Sequence, residues 1–255
     1  MILLDDLIAF LDEFMGEPES VSHTDPGMAN GLQVRGRDEV EVIVTGVSAS
    51  RRFFEEATAM GADVVIVHHA LNMPASVHFD RIFVNRLRYL LDHDLSLIGY
   101  HYLLDSHPEV GNNVQIIKSL GGVPVEPYLP DGWGWVGEIP GGIDRDEILA
   151  RCTDLFLQQG VQYPFGPERV HKVVAVSGGG APKPAEMEWL IQNGVGLFVT
   201  GEPREWCREL FREANISFVA AGHYHTERIG IQALGDTLQR RLDVAVKFLD
   251  LQNPV

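Results

Sequence analysis

The sequence predicts an α/β protein made of two similar α/β halves, each with a largely parallel sheet. Three observations carry that expectation. Short apolar runs rich in β-branched residues alternate with helical stretches of about 10–15 residues, the rhythm of successive βαβ units. The rhythm breaks at a Gly-, Pro- and Trp-rich interval between Gly121 and Gly142 and then restarts. Two strand-end patterns of the first half, GADVVIVHH (Gly61–His69) and LSLIGYHYLLD (Leu95–Asp105), return in the same order as NGVGLFVTGE (Asn193–Glu202) and ISFVAAGHYHTE (Ile216–Glu227). The expected halves are residues 1–122, completed by the C-terminal segment, and residues 123–255, with a connector at 123–142.

In chain order, Leu3, Leu4, Leu7, Ile8, Leu11 and Phe14 recur at the helical period and predict an amphipathic opening helix. A Gly/Pro/Asp-rich loop follows to about Gly36. The run Val40–Val47 predicts a strand, Ser50–Met60 a helix, and Asp63–Val67 a second buried strand. A helix from about Phe79 to His93 leads to a strand at Leu95–Gly99, and Gly111–Asn112–Asn113 precedes a helix stopped by Gly121–Gly122. The connector is expected to hold one or two strands around Trp133–Ile139. The second half then reads as helix Asp144–Gln159, strand Val170–Val176, helix Pro184–Asn193, strand Gly196–Thr200, helix Arg204–Ala214, strand Ile216–Ala220, helix Thr226–Arg240 and strand Val244–Asp250.

Composition excludes several function classes. At 255 residues, 45% apolar and 22% charged, the chain is neither disordered nor fibrous and can bury a sizeable core. No apolar stretch approaches the roughly 18–20 residues of a membrane span, and Met1–Leu4 runs into Asp5–Asp6 without the basic region of a signal peptide. A cytoplasmic protein with no membrane partner is therefore expected. The balance of 20 Lys+Arg against 36 Asp+Glu gives a net charge of −16, spread along the chain, which repels a phosphate backbone and argues against nonspecific nucleic-acid binding. Lys occurs at only four positions, a bias that fits both high-salt adaptation and GC-rich coding. Cys152 and Cys207 lack metal or redox spacing and are expected to be buried thiols.

The chemistry-bearing residues gather at strand ends, where doubly wound sheets bind ligands. His68 and His69 are adjacent. Inside a regular strand their side chains would diverge, but at a terminus they can reach two points a few Å apart, one for each of two metal ions. A lone His–His pair more often means one helix-capping or packed residue and one solvated residue. His101 and Asp105 share a His-x-x-x-acid spacing with His223 and Glu227. Asp105 alone could be a turn residue, and Glu227 alone could merely complement a helix dipole, with Thr226 as N-cap. Together these residues offer imidazole and carboxylate donors at equivalent ends of repeated elements, and Glu202 ends another such strand. A mixed N/O set fits Zn, Mn, Fe, Co or Ni better than a thiolate site or a calcium cage. Two ions roughly 3.5–4 Å apart would need a bridging carboxylate, which this set can supply.

Other features are weaker. Ser177–Gly178–Gly179–Gly180 could cradle an anion, but it lacks both phosphate-loop spacings and reads more readily as a tight turn. Trp133 and Trp135 more often fill core than stack on a base. No Gly-x-Ser-x-Gly elbow is present.

Asn30-Gly31-Leu32-Gln33-Val34, VTGVSAS (Val44–Ser50), GADVVIVHH, HYLLDSHPEVGNN (His101–Asn113), the Ser177–Gly180 turn, Thr200-Gly201-Glu202 and AGHYHTERIGIQAL (Ala221–Leu234) occur in that order. In this, nearly end to end, the chain resembles the GTP cyclohydrolase I type 2 homologue family, also called the Nif-three-like dinuclear metal-centre proteins. The resemblance implies two similar α/β domains with two divalent metal ions in the cleft between them, and a toroidal homohexamer. It implies His68, His69, Asp105, His223 and Glu227 as ligands, with Glu227 bridging, and His101 and Glu202 beside the metals, His101 moving protons. His225 stands outside that set. Longer members carry a domain inserted between the halves, and the connector here is too short for one.

The activity so implied is metal-dependent hydrolysis of a small molecule. With GTP, hydroxide would attack C8 of the purine, open the imidazole ring and release formate. The same pair could instead hydrolyse a phosphoester or a cyclic amide. A different class of reading is a non-enzymatic metal-binding ring: a metal store, a metal chaperone or a scaffold.

Overall fold

The computed structural model describes residues 1–16, 23–72, 78–128 and 132–255. Residues 17–22 of the expected loop and 129–131 of the expected connector lie outside them. The chain divides into two compact units, residues 1–104 with 231–251 and residues 105–230 with 252–255. The first division falls ahead of the Gly/Pro-rich connector, because the helix after Gly111 packs on the strands within the connector and on the one that follows it.

In the first unit, strands β4 (Val42–Ser48), β5 (Val64–His69) and β6 (Ser96–Tyr100) run parallel. The C-terminal strand β13 (Ala245–Phe248) joins in parallel at β4, and β2 (Asn30–Val34) pairs antiparallel with β6. Every residue of β4 from Ile43 to Val47, and of β5 from Val64 to His68, is buried. A strand covered on both faces needs that unbroken apolar run. Helices α2 (Arg51–Ala59) and α3 (Arg81–Asp92) begin at side-chain caps: Ser50 accepts from the Phe53 amide and Asp80 from those of Ile82 and Phe83. Their apolar faces set Phe53, Phe54, Phe83 and Leu90 into a core with Val44, Val65 and Leu97. Fully burying one such side chain contributes about 1.5–3 kcal/mol.

The second unit has strands β10 (Arg169–Val176), β11 (Leu197–Thr200) and β12 (Ser217–Ala220) in parallel. Antiparallel strands extend the sheet, β9 (Val161–Tyr163) beside β12, and β8 (Gly134–Asp144) beside β10, itself paired with β7 (Val123–Tyr128). The connector thus contributes two strands. β8 tolerates Pro140 because its register against β10 shifts between Val170 and Lys172, with Gly141 and Gly142 at positive φ, so the proline sits where no ladder bond is needed. Trp135 packs on this unit's core, and Cys152 and Cys207 are both buried. Burial pushes the Cys152 thiol up to about 12.

The last helix, α9 (His223–Arg241), starts three residues earlier than expected. Thr226 is therefore not its N-cap. Its hydroxyl lies inside the first turn, bonds back to the carbonyls of Gly222 and His223, and accepts from the Gly178 amide. His101-x-x-x-Asp105 is likewise not an open loop, since Tyr102–Asp105 forms a helical turn, α4. Among the described residues no helix is long and apolar enough to cross a membrane.

Candidate functional site

The first unit gathers imidazoles. His68 and His69 end β5 with ring centroids 4.5 Å apart, and His101, just past β6, lies 4.8 Å from His68 and 5.5 Å from His69. Ring nitrogens of all three fall within 4.8 Å of one another, a grouping able to hold a metal ion. Each ring is aimed by its other nitrogen. His68 is fully buried, and its Nδ1–H donates to the Tyr100 carbonyl at 2.8 Å, which leaves Nε2 as the lone-pair nitrogen a metal requires. His69 Nδ1 lies 3.2 Å from Ser48 Oγ.

His101 is held by a residue that the sequence did not single out. Its Nδ1 lies 2.8 Å from Oδ2 of buried Asp25, which also accepts from the Tyr102 amide and from Asn30 Nδ2. Asn30 Oδ1 in turn accepts from the amides of His101 and Leu103. A carboxylate on one imidazole nitrogen fixes the ring's orientation and tautomer. Only the Asn30-Gly31-Leu32 motif hinted at this knot; Asp25 lies 76 positions from its partner.

The second unit gathers carboxylates. Asp105 is 4% exposed, and its Oδ1 accepts from Asn112 Nδ2 and Ser177 Oγ, both at 2.9 Å. Asn112 Oδ1 is itself anchored by the Gly230 amide at 2.8 Å. On α9, His223 and Glu227 are four residues apart and so share one face. His223 Nε2 lies 3.1 Å from Glu227 Oε1, while Nδ1 lies 2.6 Å from Glu202 Oε1. Glu202 therefore acts on the imidazole from behind. The Ser177–Gly180 segment is a turn rather than an anion cradle: the Ser177 amide is taken by Asn113, that of Gly178 by Thr226, and the Gly178 carbonyl by the amides of Gly201 and Glu202. Gly178 has φ +60°, and a Cβ there would collide with Glu227 and come within 3.0 Å of His223 Nε2. Only glycine lets this turn approach the pair.

The carboxylates make this corner a seat for positive charge. Glu227 first, then Glu202, raise the His223 pKa to about 9 against the opposing effect of burial. A divalent cation would meet the same field. Oriented imidazoles in one unit and buried, hydrogen-bonded carboxylates in the other are the donor types that first-row divalent metals take. His225 belongs to no metal-competent group among the described residues.

A family model described as Duf34/NIF3 (NGG1p interacting factor 3) matches residues 2–254. A protein of Escherichia coli (strain K12) named GTP cyclohydrolase 1 type 2 homolog is 40% identical over 230 residues, 88% of this chain and 90% of that protein. A protein of the same name from Archaeoglobus fulgidus is 36% identical over 251 residues, covering 97% and 98%. Among solved structures, the ybgI protein, described as of unknown function, superposes with a TM-score of 0.87 at 34% identity over the full length of both chains.

Proposed function

Because the chain belongs to the Duf34/NIF3 family, we propose that it is a metal-dependent hydrolase using two divalent ions, with GTP as the first substrate to test. The proposed ligands are His68 and His69 from the first unit and Asp105, His223 and Glu227 from the second, with Glu227 shared. The observation that carries the reading is the pairing of donor chemistry with orientation: His68 is aimed by a carbonyl, His223 by Glu202 and Asp105 by Asn112 and Ser177. A bound pair of divalent ions supplies Lewis acidity and a source of hydroxide near neutral pH. For the chain's own part, Asp25 holds His101 with Nε2 directed away from the carboxylate, and His101 takes and returns protons during ring opening. The relatives' names support trying GTP, whose hydrolysis at C8 would release formate.

Self-association into a closed homohexamer belongs to the same proposal. Val123 and Val125 are about half exposed on the edge strand β7, an edge that a second copy could cover.

The experiment is elemental analysis with a formate-release assay on one preparation, with Glu227→Ala as control. About two metals per chain and formate lost in the variant is the expected result. Two metals without formate from GTP would remove that substrate. Wild-type protein purified without chelator and carrying no metal would overturn the ligand set.

A further inference from the structure

We infer that a cavity of about 240 Å³ in the first unit, at the carboxyl ends of β4 and β5, binds the anionic group of a small molecule through Arg86. The cavity lies where open α/β sheets take their ligands. Ser48 and His69 line it from the strand ends, and Ile82, Phe83 and Arg86 from α3. Ile82 and Arg86 are four residues apart, so one helix face presents both an apolar wall and a cation.

Two features make Arg86 the cavity's anion anchor. First, the start of α3 offers no competing anion site, because Asp80 Oδ1 already accepts from the amides of Ile82 and Phe83 at 2.7 and 2.9 Å. Secondly, Arg86 makes no hydrogen bond or ion pair with the described residues, a state it shares with Arg81 and Arg88 on the same helix, but of these three it is the one that lines the cavity; Arg37, Arg51, Arg52 and Arg151, by contrast, each engage a carboxylate. Among the described residues no carboxylate pairs with this guanidinium, although Asp80 also lines the cavity, its Oδ1 engaged by the amides of Ile82 and Phe83. Its planar fork matches a phosphate or a carboxylate in two parallel hydrogen bonds. Since His69 is a proposed metal ligand, a molecule anchored at Arg86 would have its remaining atoms beside that residue. This last step rests on the proposed function, whereas the anion site itself does not.

The test uses the full chain stripped with chelator, so that no metal competes for the anion. Inorganic phosphate and, separately, acetate are titrated while the Arg86 Nε–H and the Ile82 and Phe83 amides are followed by NMR. Saturable shifts with at least one anion are expected, and which anion binds tells a phosphate-bearing substrate from a carboxylate. Arg86→Ala should weaken binding at least about tenfold, the scale of a lost charge-assisted hydrogen bond. Arg86→Lys should weaken it less, with wild-type metal content retained in both variants. Arg86→Gln repeats the measurement if the alanine variant unfolds early. Absence of binding by either anion, or unchanged affinity in the variants, would overturn the site. Failure of wild type to bind metal would overturn the hydrolase reading while this assay still reports on Arg86.

Discussion

The two units solve one topological problem with different donor chemistry. In the first, β4, β5 and β6 run parallel with antiparallel β2 at the β6 edge; in the second, β10, β11 and β12 run parallel with antiparallel β9 at the β12 edge. This likeness is consistent with a duplication. At matching strand ends β5 delivers His68 and His69, whereas β11 leads to Glu202; β6 leads to His101 and β12 to His223. The first unit thus offers nitrogen donors, and the second adds the buried carboxylates of Asp105 and Glu227. Metal affinity should therefore depend most on the second unit's charge, and metal preference on the first unit's nitrogens.

The largest effect is expected from Asp105→Asn. The amide keeps an oxygen for Asn112 and Ser177, so the fold should hold, but the negative charge is gone. Metal content by elemental analysis should fall to one ion per chain or fewer. Asp105→Ala should add about 1–3 kcal/mol of destabilisation in chemical unfolding, because buried Asn112 and half-buried Ser177 lose their acceptor. If His69→Ala strips metal as completely as Asp105→Asn while leaving the fold intact, the proposed division of labour is wrong.

A smaller effect separates the carboxylates that stand behind an imidazole. Glu202→Gln should weaken metal binding about 10–100-fold, the usual consequence of losing a carboxylate behind a ligating histidine. Asp25→Asn should leave metal affinity closer to wild type, because His101 is proposed to move protons rather than to ligate. Its signature would be a changed tautomer in the His101 ring nitrogen spectrum together with lost turnover. An unchanged His101 spectrum in that variant would remove Asp25 from its assigned role.

Much of this comparison was legible in the sequence, for identifiable reasons. Strands buried on both faces must be apolar throughout, so Val64–Val67 and Leu197–Val199 announce themselves, and the polar residues that end them stand out. Edge strands carry no such constraint. Asn30–Val34 looks like loop in sequence because Gly31 and its polar neighbours mimic one, and Val161–Tyr163 is too short to carry a period. Thr226 misled because a threonine ahead of a glutamate resembles a cap, whereas the helix starts at His223 and uses that hydroxyl to grip Gly178. Asp25 was missed because contacts between distant segments leave no period in sequence.

The smallest expected effect concerns pH. In the metal-free chain the His223 pKa is raised from 6.5 to about 9, chiefly by Glu227 and then by Glu202. A group whose folded pKa lies above its unfolded value binds more protons in the folded state between the two, so stability falls as pH rises through that window. Its contribution should be complete below pH 6.5 and lost by about pH 9. Glu202→Gln should flatten the slope, because one of the anions holding the proton is gone. Metal should abolish it, because a ligating nitrogen carries no proton. Chemical unfolding of the metal-free protein at intervals from pH 6 to about 9 reads the slope directly. A flat profile in wild type would mean that the second unit's carboxylates do not act on His223, and the contrast between the two units would lose its electrostatic basis.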